Sequence, residues 1–151
     1  MNYAYEHRDL FTVDGYVYAH CISSDFVMGA GIAKLFTNRG IKQRLLNTYP
    51  INTWNGHGYC LPIFTKNHVV CNLVTKHKVY EKPTYDTLRD SLIDLREWML
   101  SAYYRGRIPN LNLAMPLIGC GLDGLDWNQV EFIIQETFKN HNFNILICEY
   151  N

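Results

Sequence analysis

Two glycine-containing loops carry residue types that could hold an anion. The first lies within residues 20–33 and places Gly29 and Gly31 just ahead of a helical pattern. Backbone N–H groups are unpaired at the start of a helix, where the helix dipole is positive, and glycine lets a ligand approach the main chain closely. This loop is therefore predicted to bind a pyrophosphate-like group, with a simple turn as the alternative.

The second loop adds a carboxylate to the same kind of backbone. Residues 119–124 contain three glycines in six positions, and Asp123 stands between the last two. Successive N–H groups in such a loop can enclose an anion. An aspartate in a loop often forms only a turn or a helix cap. Because Asp126 is better placed to cap the following helix, Asp123 is left free for chemistry.

Lys76 is the candidate amine of the chain. It follows the apolar run 69–74 and begins the basic cluster 76–78. A solvated lysine at a strand end is the ordinary alternative. A chemical role is favoured because both glycine loops also follow strands of the same predicted sheet.

Four short segments rich in β-forming residues are predicted to be strands. They are residues 16–22, 69–74, 113–116 and 145–148. Longer amphipathic segments separate them, which indicates an α/β sheet between helical layers. Ligands bind outside the carboxyl ends of the strands in such sheets, which is where the two loops and the lysine stand.

Three amphipathic segments are predicted to be helices. Thr84 begins one of them as an N-cap, and residues 105–106 end it. Asp126 begins another in a sequence that resembles a capping box. Residues 31–49 are predicted to be helical in one or two pieces, with a break near 38–40.

The composition excludes several classes of protein. Lys and Arg number 14, as do Asp and Glu, so the formal charge is zero, whereas proteins that neutralise many phosphates carry a basic surplus. No run approaches the roughly 20 apolar residues of a membrane helix, and residues 1–9 lack the pattern of a secretory signal. The five cysteines form no CxxC pair, and the six histidines are scattered. We expect a soluble, intracellular protein, cytoplasmic or nuclear, with free thiols and no metal.

The loops and the lysine belong to a series of strings that resembles the macro domain, the ADP-ribose-binding fold. Within that family the chain most closely resembles the branch of the terminal ADP-ribose protein glycohydrolase. Residues 9–11 are similar to the family's adenine-contact string, although Arg8 stands where glycine is usual. The Asn-Ala-Ala-Asn strand end of other branches is absent, which disfavours those branches. The matching strings are HCIS at 20–23, MGAGIA at 28–33, TK at 75–76, KPTY at 82–85 and MPLIGCGLD at 115–123.

The resemblance implies a single domain over residues 1–151, with a three-layer α/β/α fold and a mixed, mostly parallel central sheet. It implies that Asp9 accepts a hydrogen bond from the adenine amino group, that the Leu10 backbone holds the ring, and that Ser23 lies beside the distal ribose. Tyr150 and Asn151 are expected to border the adenine. The other substrate-binding residues that it implies, mainly around the pyrophosphate, are Gly29, Ala30, Gly31, Ile32, Thr75, Leu117, Ile118, Gly119, Cys120, Gly121 and Leu122.

The resemblance also implies that Lys76 and Asp123 are the catalytic residues. The amine would attack C1″ of an ADP-ribosyl ester and expel the carboxylate, with Asp123 as the base. The amine must first lose its proton. Lys78 and a protonated His77 would favour this loss, whereas Asp123 would oppose it. A lysine that stays protonated could still stabilise the leaving group electrostatically.

Other functions use the same pocket. An ADP-ribose 1″-phosphate phosphatase, an O-acetyl-ADP-ribose deacetylase and an enzyme that removes ADP-ribose from a nucleobase all act at the distal ribose. A non-catalytic ADP-ribose reader or a mere interaction module is a further alternative. The expected partners are ADP-ribose and ADP-ribosylated protein, with ADP-ribosylated nucleic acid as an alternative. No cofactor, metal or membrane is implied, and the chain is expected to be a monomer.

Overall fold

The structure is a computed structural model that describes residues 1–150, so Asn151 lies outside the described residues. Its centre is one six-stranded sheet with the strand order β1-β6-β5-β2-β4-β3. The strands are β1 (Asn2–His7), β2 (Val17–Ser23), β3 (Tyr59–Phe64), β4 (Val69–Lys76), β5 (Asn112–Met115) and β6 (Asn144–Glu149).

All neighbouring strands are parallel except β3, which runs antiparallel to β4. The sheet is therefore mixed and mostly parallel, as expected. The carboxyl ends of β2, β4, β5 and β6 meet at the same margin of the sheet. The segments that follow these strands are thereby brought together, although they are far apart in sequence.

Four helices cover the sheet: α1 (Gly31–Asn38), α2 (Ile41–Thr48), α3 (Tyr85–Tyr104) and α4 (Trp127–Phe138). The side chains of Thr84 and Asp126 accept hydrogen bonds from the first turns of α3 and α4, as their positions predict. The predicted break between α1 and α2 is formed by Gly40, whose φ of 85° suits glycine.

Each face of the sheet buries its own core, because successive side chains of a strand point to opposite faces. Ala19 packs under α3 and α4, whereas its neighbour Tyr18 packs under α1 and α2. The predicted apolar stripe of α3 is fully buried on the first face; it consists of Leu88, Leu92, Leu95 and Met99. The molecule is therefore a three-layer α/β/α sandwich.

The outer margin of β3 is closed by groups from α3. The Gly58 N–H donates to Asp90 Oδ2 at 3.3 Å, and the Cys60 N–H donates to Asp94 Oδ2 at 2.7 Å. Pro62, two residues further on, has no N–H to donate. A proline is tolerated there because β3 is an edge strand.

No helix within residues 1–150 is both long enough and apolar enough to cross a membrane.

Candidate active site

A cavity of about 780 Å³ opens at the carboxyl ends of the central strands. Among residues 1–150, it is lined by every residue that the sequence assigns to the substrate or to catalysis except Thr75, and Asn151 lies outside the described residues. The predicted residues on its wall are Asp9, Leu10, Ser23, Gly29, Ala30, Gly31, Ile32, Lys76, Leu117, Ile118, Gly119, Cys120, Gly121, Leu122, Asp123 and Tyr150.

The first glycine loop ends in an uncapped helix. Ala30 is the N-cap of α1 and has no side chain that could accept from the first turn. The first helical backbone bond is donated by Lys34, so the N–H groups of residues 31–33 have no partner within the helix. The loop itself is strained, because Phe26 (φ 55°) and Met28 (φ 51°) adopt the left-handed region. Both side chains are buried, and this burial holds the loop in place.

The second glycine loop also presents an uncapped turn to the cavity. Residues 121–123 form a short 3-10 helix, and its N-cap Cys120 makes no side-chain hydrogen bond. Gly119 and Gly121 have φ values of 73° and 71°, which an L side chain rarely adopts. Two sets of N–H donors thus line one cavity, an arrangement suited to the oxygens of a diphosphate.

Lys76 and Asp123 meet in this cavity. Lys76 Nζ lies 2.7 Å from Asp123 Oδ1, and their side chains are only 12% and 18% exposed. Lys76 is the last residue of β4, and Asp123 ends the 3-10 helix of the second loop. The contact is short enough for direct proton transfer between the two groups.

The other basic residues of the cluster contact other side chains, and their effect on the charge of Lys76 stays a prediction. Lys78 Nζ donates to Asn52 Oδ1 at 2.9 Å. His77 Nδ1 lies 3.6 Å from Glu81 Oε1. Both are thus engaged by other side chains, and the partner of Lys76 is the carboxylate of Asp123.

Ser23 reaches the same end of the cavity with a fixed hydroxyl. Its Oγ donates to Asp25 Oδ1 at 2.5 Å, so the oxygen of Ser23 can only accept from a ligand. Burial acts to raise the pKa of Asp25. Hydrogen bonds from Ser23, Val79 and Val27 outweigh the burial and hold this pKa below its usual value. Asp25 therefore stays ionised and fixes the hydroxyl of Ser23, whose oxygen is left to accept a hydrogen bond.

The opposite end of the cavity lies at the carboxyl ends of β1 and β6. Asp9 Oδ1 accepts from the Phe11 N–H at 3.0 Å, which fixes the side chain and leaves Oδ2 for another donor. Arg8, where the resembled family has glycine, turns away to donate to the Thr12 carbonyl at 3.1 Å. Tyr150 lines this end and is 71% exposed.

The cavity is long in one direction. β6 and β4 are three strand positions apart in the sheet, which corresponds to roughly 14 Å at about 4.8 Å per strand. One end thus offers Asp9 and Tyr150, the middle offers the two loops, and the other end offers Ser23 and the Lys76–Asp123 pair. This order matches a base, a diphosphate and a distal sugar in an extended dinucleotide.

Thr75 is placed differently from its expectation as a binding residue. It is 1% exposed, does not line the cavity, and its Oγ1 has no hydrogen-bond partner. Thr75 is therefore buried beside the cavity, whereas its neighbour Lys76 lines it. The register with β2 also shifts here, because Ser23 pairs with Lys76 rather than with Thr75.

Two thiols line the cavity without being activated. Burial raises the pKa of Cys21 to about 12, and the nearby Asp123 carboxylate adds to this effect. Burial also raises the pKa of Cys120, together with the carboxylates of Asp126 and Asp123. Both thiols are therefore protonated at neutral pH and are poor nucleophiles.

The cavity wall also contains residues that the sequence reasoning did not assign to the site. Phe11 lies in the family-like string at 9–11, and Met28 and Ala33 lie in the string at 28–33. Their position in these strings could have assigned them to the site. In the segment after β4, Lys82 belonged to the string at 82–85, whereas no residue pattern pointed to Val79 and Tyr80 or to Glu149. The additional lining residues are Phe11, Cys21, Ile22, Met28, Ala33, Leu35, Val79, Tyr80, Lys82, Pro116, Cys148 and Glu149.

Comparisons with known proteins identify relatives of this chain. No protein-family model matches the chain. The chain is 39% identical over 129 residues to the ADP-ribose glycohydrolase OARD1 of Bos taurus, and 38% identical over 130 residues to that of Homo sapiens. Each match covers 85% of this chain and 78% of the relative.

Solved structures share the fold. The macrodomain of Mycobacterium tuberculosis DarG superposes with a TM-score of 0.73 at 21% identity, over 97% of this chain and 96% of that chain. Thermosipho africanus DarTG, solved in complex with ADP-ribose, superposes with a TM-score of 0.73 at 18% identity, over 98% of this chain and 41% of that chain.

The fold and the site define an α/β protein with a nucleotide-diphosphate cavity at the carboxyl ends of its strands. This chain belongs to the macro-domain family, in the branch of the terminal ADP-ribose glycohydrolases. The family and the fold class expected from the sequence are both confirmed.

Proposed function

We propose that this protein hydrolyses the ester that joins ADP-ribose to an acidic side chain of a protein, with Lys76 and Asp123 as the catalytic pair. The observation that carries the proposal is the 2.7 Å contact between these two side chains in a cavity otherwise lined by N–H-rich glycine loops. The name of the relatives, ADP-ribose glycohydrolase, supports the same chemistry.

ADP-ribose would lie along the cavity with its adenine at Asp9 and Tyr150. The diphosphate would accept hydrogen bonds from the two uncapped turns, so that no cationic patch is needed. Ser23 would accept from a hydroxyl of the distal ribose, because its own proton is committed to Asp25. This placement brings C1″ of that ribose to Lys76.

The reaction would begin with a proton transfer from Lys76 to Asp123. The neutral amine attacks C1″, and the bond from C1″ to the ester oxygen breaks, so that the carboxylate leaves with the bonding electrons. Asp123 passes its proton to the departing carboxylate and is ionised again. The sugar ring then opens as one of the two protons on the nitrogen moves to the ring oxygen, leaving a protonated imine between Lys76 and C1″. Water adds to the imine with Asp123 as the base, and ADP-ribose is released as the amine is restored.

The ion pair sets the main energetic cost of this route. For a free lysine and a free aspartate in water, moving the proton to the carboxylate costs about 9 kcal/mol, from reference values of about 10.4 and 3.9. A turnover of about 1 per second allows a barrier of about 17 kcal/mol. The transfer would thus use about half of the barrier, so the route is slow but feasible.

Substitution of Lys76 tests the proposal. Lys76→Ala and Lys76→Arg are each expected to reduce kcat on a peptide that carries ADP-ribose on a glutamate by at least about 10²-fold, since neither offers an amine. Lys66→Ala, which removes an exposed lysine from the turn between β3 and β4, is the matched control and should retain full activity. Borohydride added during turnover should attach ADP-ribose covalently to the unaltered chain and to the control only.

Two outcomes would change the assignment. Undiminished turnover by Lys76→Ala would remove Lys76 from the mechanism. Substantial turnover by Lys76→Arg, without covalent trapping in the unaltered chain, would show that the side chain acts only by its charge on the leaving group. Parallel assays with O-acetyl-ADP-ribose, ADP-ribose 1″-phosphate and an ADP-ribosylated nucleobase would rank the alternative substrates.

We further propose that the protein acts as a monomer in an intracellular compartment. All five cysteines are unpaired and three of them are fully buried, as expected of a chain that folds in a reducing environment. Sedimentation equilibrium at micromolar concentration should give a mass close to 17.6 kDa.

A further inference from the structure

Residues 77–82 form a connection between β4 and α3, here called the strap, that is fastened to the rest of the protein. The Val79 N–H donates to Asp25 Oδ2 at 2.9 Å. Lys78 Nζ donates to Asn52 Oδ1 at 2.9 Å. Pro83, which follows the strap, is buried. The strap is therefore held by Asp25 in the loop after β2 and by Asn52 in the segment between α2 and β3.

A further contact joins the strap to the second glycine loop. Lys82 Nζ donates to the carbonyl oxygen of Leu122. Leu122 directly precedes Asp123, and the strap begins directly after Lys76. The strap and the second loop are thus tied together around the mouth of the cavity, next to the Lys76–Asp123 pair.

Apolar side chains stand exposed at this mouth. Tyr80 is 79% exposed, Leu122 is 72% exposed and Val79 is 42% exposed, although all three line the cavity. Single exposed apolar residues are common, but apolar residues grouped at the opening of a cavity mark a contact site. The tethers fix the backbone of Val79 and Leu122 without a partner, so less backbone entropy would be lost when a partner binds.

The geometry of the cavity determines what can reach this surface. In the proposed function the scissile bond lies at Lys76 and Asp123, and the ADP-ribose moiety extends from there toward β6 and β1. The carrier of the ADP-ribose must therefore leave the cavity on the other side of that bond. The strap and Leu122 border that side.

We propose that Val79, Tyr80 and Leu122 form a docking surface for the polypeptide that carries the ADP-ribosylated side chain. The inference rests on the proposed function and extends it. The occupant is a protein segment with an apolar side chain close to the modified acidic residue, which would pack on the Tyr80 ring. Tyrosine is one of the residues that most often dominate such contacts, because its large ring loses little rotamer freedom.

The test compares two esters that share ADP-ribose and differ in the carrier. One is ADP-ribosyl-glutamate within a folded protein or a long peptide, and the other is O-acetyl-ADP-ribose. Tyr80→Ala is expected to lower the ratio of kcat/KM for the protein ester over kcat/KM for the small ester about tenfold, which corresponds to about 1.4 kcal/mol. Tyr80→Phe keeps the ring and should keep the ratio.

Tyr104→Ala is the matched control. Tyr104 is 81% exposed at the end of α3, so its removal deletes a similar side chain away from the cavity and should not change the ratio. A ratio for Tyr80→Ala within twofold of the unaltered protein would overturn the docking surface, as would an equal loss on both esters. Failure of the unaltered protein to hydrolyse either ester would overturn the proposed function itself and the docking surface with it.

Discussion

Three glycines with nearly the same backbone conformation allow the second loop to be tested quantitatively. Gly119, Gly121 and Gly106 have φ values of 73°, 71° and 73°. A Cβ built on Gly119 would lie 2.9 Å from Leu125 Cδ1, whereas a Cβ on either of the other two meets nothing within 4 Å. Gly106 lies after α3 and does not line the cavity.

The expected stabilities follow from these contacts. An L residue in the left-handed region costs about 1–2 kcal/mol, so Gly106→Ala and Gly121→Ala should each lose about that much stability. For a chain of this size the loss corresponds to a decrease in Tm of about 2–8 °C. Gly119→Ala should lose about 0.5–1.5 kcal/mol more, because the half-buried Leu125 must leave its preferred rotamer to relieve the contact.

ADP-ribose binding should separate the three variants differently. Gly106→Ala should bind ADP-ribose as the unaltered protein does, because its strain lies outside the cavity. Gly121→Ala and Gly119→Ala should bind more weakly, because a relaxed backbone in the second loop displaces the N–H groups that are proposed to hold the diphosphate. Urea denaturation gives the stabilities, and isothermal titration calorimetry gives the affinities.

The reasoning would be refuted by either of two results. If Gly119→Ala and Gly106→Ala were equally stable, the contact with Leu125 would carry no cost. If Gly121→Ala bound ADP-ribose with unchanged affinity despite its lost stability, the backbone of the second loop would not hold the ligand.

Two further predictions concern stability. Burial lowers the pKa of His20 to about 4, and the hydrogen bond to Asn72 opposes this effect only weakly. As the pH falls, His20 is therefore protonated in the unfolded chain before it is protonated in the folded protein. The contribution of His20 to the free energy of unfolding is therefore complete above about pH 6.5 and falls by about 3 kcal/mol as the pH decreases to 4. Urea denaturation at each pH measures this decrease. An equally steep decrease in His20→Gln would refute the prediction. Asp126→Ala removes the oxygen that accepts from the Gln129 N–H at 3.2 Å, and it should lower the free energy of unfolding by about 1 kcal/mol. Asp126→Asn keeps an acceptor and should lower it less. Equal denaturation midpoints for the two variants would contradict the capping role of Asp126.

The sequence predicted those elements whose signals are local. The caps at Thr84 and Asp126 and the break at Gly40 depend on a few neighbouring residues, and all three are present in the structure. Strands β1 and β3 were not predicted. β1 is exposed along most of its length and has no apolar alternation, and β3 contains Pro62, which argues against a strand unless the strand lies at an edge.

The sequence predicted which segments form the site, but it did not predict how their side chains are oriented. The glycine strings placed both loops, because glycine at positive φ leaves a trace in the sequence. The direction of side chains after a strand leaves no such trace. The register shift beside Thr75 depends on the pairing of β4 with β2, which is distant in the chain, so the sequence assigned Thr75 to the ligand.

The closed margin of β3 has a consequence for the behaviour of this protein at high concentration. A bare strand margin is a ladder of donors and acceptors that another polypeptide can copy, which is the first step toward amyloid-like stacking. Asp90 and Asp94 occupy two of the donors, and Pro62 removes the next one. An incoming strand therefore meets an interrupted ladder on this side, which disfavours growth by strand addition to β3.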